Sequence, residues 1–210
     1  ILYRIMGFYF DSAPRLTHKT PWSLYALIQY EIGNYEQASI AWRRHFNLTY
    51  APDSIDDLKK YLTERSTGDP SDTESHLRLA DLLLVQGEYE KASEYFEAAL
   101  EKNHNLPTAR IGLASCAMAV EAYDKSQIHL EGLFRHGFDP DDTIQGFLSF
   151  LIAFDKYLNI SGASDNNPIL TMHAYRLLYY FDKRNAKTVF KFADKAIEMK
   201  VEPDKAHFAK

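Results

Sequence analysis

The sequence predicts an all-α fold, and three observations carry that prediction. A short motif recurs as YEQASIAW at 35–42, YEKASEYF at 89–96 and YDKSQIHL at 123–130, with tyrosine first, a small residue three later and a bulky apolar residue seven later. Residues i, i+3 and i+7 share one face of an α-helix, so each copy reads as a helix with an aromatic, small and bulky stripe. Gly33 and Gly87 stand two residues before Tyr35 and Tyr89, where a left-handed residue closes one helix before the next begins. No segment reads as a convincing strand.

The elements follow in chain order. Residues 1–18 form an N-terminal segment whose first ten, ILYRIMGFYF, are read as an aromatic stretch packing on the first helix; the other reading makes them the end of an upstream anchor or signal. Thr20 and Pro21 open a helix, with proline at its first position. That helix runs to the Gly33 corner and its partner starts at Tyr35, which gives a hairpin over 19–52.

Tyr35 and Tyr89 lie 54 residues apart, 20 more than the 34 between Tyr89 and Tyr123. The excess contains SIDDLKKYLTER at 54–65, so an inserted helix is expected within 53–70. Ser71 with Glu74 three later has the pattern of a capping box, and 71–140 holds two further hairpins.

Asp139, Pro140, Asp141 and Asp142 place a cap and negative charge at the next helix start, where the macrodipole favours anions. Tyr157 is again 34 residues beyond Tyr123. Yet Asn159, Gly162, Asp165, Asn166, Asn167 and Pro168 read as a loop where a second helix should run. A last pair is expected near 168–182 and 184–200, so 141–210 reads as degenerate hairpins. Small residues at Ala38, Ala92 and Ala99 face Ala26, Ala80 and Ala114, which lets paired helices approach closely.

These residues resemble the tetratricopeptide repeat family, 34-residue helix-turn-helix units. The match is strongest over 73–106, at Leu79, Ala80, Gly87, Tyr89, Ala92, Phe96 and Ala99. It extends to 19–52 through Trp22, Ala26, Gly33, Tyr35, Ala38 and Trp42, and to 107–140, where Glu121 replaces the glycine. The resemblance implies a right-handed superhelical solenoid whose concave face, lined by the first helix of each pair, receives a peptide or a partner helix.

The inward series by spacing is Ser23, Leu27, Tyr30 and Glu31, then Leu77, Asp81, Leu84 and Val85, then Ile111, Ser115, Met118 and Ala119. From it the partner-binding candidates are Leu27, Tyr30, Leu77, Asp81, Leu84, Val85, Ile111, Ser115 and Met118. An exposed apolar row of this kind needs a cover, which predicts a protein or peptide partner with an apolar or amphipathic segment. Members that clamp a terminal carboxylate do so with lysine, asparagine and arginine; Ser23, Leu27, Thr108 and Gly112 stand at those places here, so that role is not expected.

Composition narrows the function classes. A net charge of −5 argues against a general nucleic-acid binder, which needs a basic face to displace counterions. The lone cysteine, Cys116, excludes an internal disulfide framework and lies in ASCAMA, an apolar helix that reads as burying a structural thiol. Neither an HExxH motif nor a phosphate-binding glycine loop occurs, so no catalytic residue, metal site or cofactor is expected. His129 and His136 are seven apart and would share a face only if a helix ran through Gly132.

The expected function is a non-enzymatic adaptor that holds a partner segment and supports assembly of a larger complex. Two alternatives remain, a membrane-tethered assembly factor for secretion or envelope biogenesis, and an RNA-associated helical repeat using the Lys183, Lys187, Lys191 and Lys195 stripe with Phe190 and Phe192. Nothing in the sequence separates a cytoplasmic from a periplasmic location, with or without membrane association.

Overall fold

The computed structural model describes residues 20–46, 54–139, 143–181 and 185–199, and these are helical with no strand among them. The helices are α1 (Thr20–Glu31), α2 (Tyr35–His45), α3 (Ile55–Gly68), α4 (Thr73–Val85), α5 (Tyr89–Lys102), α6 (Pro107–Ala119), α7 (Tyr123–His136), α8 (Ile144–Leu158), the single turn α9 (Ala163–Asn166), α10 (Pro168–Phe181) and α11 (Ala186–Glu198). Adjacent pairs pack as α1 with α2, α4 with α5, α6 with α7 and α10 with α11. This is the all-α helical-repeat arrangement expected from the sequence.

The repeated motif accounts for the packing. Tyr35, Tyr89 and Tyr123 open α2, α5 and α7, and the small residues Ala38, Ala92 and Ser126 are fully buried, as are Ala26, Ala80 and Ala114 on the helices before them. At Ser126 the approach is close enough for its Oγ to donate to the Ala114 carbonyl at 2.9 Å. Trp42, Phe96 and Leu130 fill the bulky position and are buried. Each hairpin corner takes one left-handed residue, Gly33 at φ +84°, Gly87 at +81° and, where the glycine is absent, Glu121 at +60°.

Helix α4 starts one residue later than the Ser71 capping box implies. Asp72 is its cap and accepts from the Ser75 backbone N–H at 3.0 Å, while the Ser71 hydroxyl donates to Asp69 at 2.6 Å. The carboxylate wins because the Arg65 Nε–H also donates to it at 2.7 Å, a charge-assisted bond that a serine cannot form. Glu74 pairs with Arg78 instead. The residue preceding α8 is Thr143, without a side-chain cap bond; Pro140, Asp141 and Asp142 lie outside the described residues, as do residues 1–19, Asn47–Thr49 and Lys183.

The third tyrosine at a spacing of 34 does not open a second helix. Tyr157 lies near the end of α8, buried, its ring 5.2 Å from that of Tyr123. Its hydroxyl donates to the Ala163 carbonyl at 2.9 Å and pairs with the Thr171 hydroxyl at 2.7 Å, tying α8 to α9 and α10. The pairing of α7 passes to α10, and α8 is an added helix packed along α6.

Candidate functional site

The surface in question is the one shared by the first helices α1, α4 and α6. Helix α8 packs along α6 and also touches α4 and α1, so it lies across that shared surface. The approach is tight at Gly146, where an added Cβ would stand 3.3 Å from the Thr108 carbonyl oxygen. Ile111 and Met118 share one core with Phe150, Ala153, Phe154 and Tyr157 of α8. The apolar row that the spacing predicts is thus largely covered, and the cover comes from the chain itself.

The predicted residues divide accordingly. Ile111 and Ser115 are 0% exposed and Met118 3%, so they form the floor under α8 rather than an open groove. Ser115 satisfies its hydroxyl locally, donating to the Ile111 carbonyl at 2.7 Å. Asp81 and Leu84 on α4 are 4% and 6% exposed, whereas Tyr30, Leu77 and Val85 are half-buried. Tyr30 meets Tyr35 at 5.2 Å and Trp42 at 5.6 Å between ring centroids. The side chains of Leu27, Ser23 and Glu31 lie outside the described residues.

A cleft of about 50 Å³ remains where α8 leaves the wall of first helices. Leu84, Val85 and Tyr89 form one side, Ala119 the floor and Ile152 and Lys156 of α8 the other side. Val120, next to Ala119, is 46% exposed, so the apolar surface continues onto the hairpin corner. This continuation could not be read from the sequence, because α8 carries no repeat signature and its place on α6 depends on contacts far apart in the chain. A larger hollow of about 430 Å³ lies among Trp22, Tyr25, Ile40 and Arg44 of the first hairpin alone, away from this wall.

Charge around the cleft is mixed and mostly acidic. Glu88 is held below its ordinary range by hydrogen bonds from Lys59 and then Lys91, so it is neutralised within the fold. Glu90, Glu121 and Asp124 are exposed at the same hairpin corners. Glu121 contributes, after burial, to raising the Tyr123 phenol.

The reactive groups of the core are quiet ones. Cys116 is buried, and burial pushes its thiol up to about 12, far from the thiolate that chemistry needs. Helix α7 does run unbroken through Gly132, because that residue leaves room for the Arg110 guanidinium, whose Nη1 lies 2.6 Å from where a Cβ would be. Burial, then the charges of Arg110 and Lys125, bring His129 down to about 4, while His136 is exposed in the last turn. Among the described residues no group of three or more His, Cys, Asp or Glu is placed to hold a metal ion, and no helix is long and apolar enough to cross a membrane.

Comparison with known proteins bears on the central hairpin. Residues 73–116 match the tetratricopeptide repeat family model, and no curated protein matches the chain. The match begins with α4, spans α5 and ends within α6, the segment where the sequence motif, the buried small positions and the Gly87 corner coincide. The chain therefore carries a tetratricopeptide repeat in its α4 to α6 segment, within an all-α stack of paired helices, and belongs to that family.

Proposed function

We propose that this chain is a non-enzymatic interaction module that holds a partner protein against the wall of first helices, beside α8. Tetratricopeptide repeats generally mediate contacts between proteins. The observation that carries the reading is α8 itself: an apolar helix already lies on α6, α4 and α1, so this wall is built to receive one. The partner meets what α8 leaves free, Leu77 and Val85 on α4, Tyr30 on α1 and the cleft between Val85 and Ile152. In this role it contributes to assembling a larger complex.

A benzophenone side chain in place of Val85 tests the reading in cells. A discrete protein adduct at Val85, missing when the same group replaces exposed Lys60 on α3, is the expected result. No adduct at Val85, Leu77 or Ala119, or the same adducts at Lys60, would overturn it.

A further inference from the structure

We infer that the cleft between α4, α6 and α8 docks an amphipathic helix whose aliphatic stripe is flanked by lysine or arginine. The inference rests on the interaction reading above and assigns the partner's chemistry. The cleft is apolar and small, with room for the end of one aliphatic side chain, and it is continuous with the contact that α8 already makes on α6. A helix beside α8 extends that contact and covers the exposed Val120.

Charge selects the partner. Glu90 follows Tyr89 of the cleft, Glu121 follows Val120, and Asp124 starts the next helix after Tyr123. All three are exposed, and they outnumber Lys156 on the α8 side. Complementary charge at the rim of an apolar contact raises the on-rate and rejects partners of the wrong sign. A basic flank is attracted here, whereas an acidic one is repelled.

Glu121 adds a feature of its own. Its counterparts at the other two corners are Gly33 and Gly87, for which a positive φ costs little, yet here a glutamate holds φ +60°. A residue kept in a sparsely populated conformation at an exposed turn points to a use for its side chain. A carboxylate beside Val120, at the mouth of the cleft, supplies one.

The test uses the full chain and a synthetic 18-residue helix-forming peptide with leucine at i, i+3, i+4 and i+7 and lysine on both flanks, read by fluorescence anisotropy. A matched peptide carries glutamate in place of lysine. The lysine peptide is expected to bind, more weakly as salt rises, and the glutamate peptide to bind at least about tenfold more weakly. Glu121→Gln, which keeps the backbone and removes the charge, lowers affinity about threefold, and Glu90→Gln, Glu121→Gln and Asp124→Asn together lower it about tenfold.

Glu121→Gly separates function from fold, because it should raise the thermal midpoint while weakening binding as much as Glu121→Gln. Val85→Asp, at a half-buried position, abolishes binding of either peptide. Loss with Val85→Asp but wild-type affinity in the triple variant would overturn the basic partner and leave the interaction reading standing. Wild-type affinity in both would sink the two together. Concentration-dependent self-association that depends on Glu121 would replace the partner helix by a second copy of the chain.

Discussion

Gly112 shows how one missing methyl sets the distance between helices. A Cβ there would stand 2.3 Å from the ring of Phe96, which is fully buried and has nowhere to go. Alanine is the better helix former by about 1 kcal/mol, so propensity and packing oppose each other at this position. Packing should win: overfilling a tight core costs about 1–3 kcal/mol, and Gly112→Ala is expected to lower the urea midpoint. Glu121→Gly runs the other way. It relieves a left-handed glutamate and should stabilise the fold by up to about 1 kcal/mol, seen as a higher thermal midpoint.

At the scale of the element, the start of α4 is held by Asp72. Burial alone would raise its carboxyl, but hydrogen bonds from Ser75 and Arg65 outweigh that and bring it down to about 2 from an ordinary 3.8. A depressed folded value means that the stabilisation is complete above pH 4 and is lost as pH falls through 2. Asp72→Asn keeps a capping oxygen and removes the charge, so it should cost about 2 kcal/mol near neutral pH. Denaturant midpoints of the two proteins are expected to converge between pH 4 and pH 2, and a gap that persists at pH 2 would contradict this account.

For the whole molecule, α8 is the element that joins the parts. Phe154 is buried, stacked on Phe150 at 5.7 Å and on Tyr157 at 5.8 Å, with Tyr175 of α10 edge-on at 5.2 Å. Tyr157 carries the contact on to Thr171. Phe154→Ala should cost about 3–5 kcal/mol, and because the contact bridges three helices the loss should not stay local. Hydrogen exchange is expected to quicken in α6 and α10 as well as in α8; protection lost from α8 alone would show it to be an appendage.

By itself the sequence determined the local units: the helices, the corners at Gly33 and Gly87, and the small positions Ala38, Ala92 and Ser126 that let hairpins close. All of these depend on residues within one helical hairpin, where spacing translates directly into a shared face. Only the tertiary structure decided what Ile111, Ser115 and Met118 face and why Tyr157, 34 residues beyond Tyr123, opens no helix. Both answers depend on α8 docking across the first helices. Apolar side chains state that they need a cover, but burial is non-directional, and nothing in their pattern says which segment supplies it.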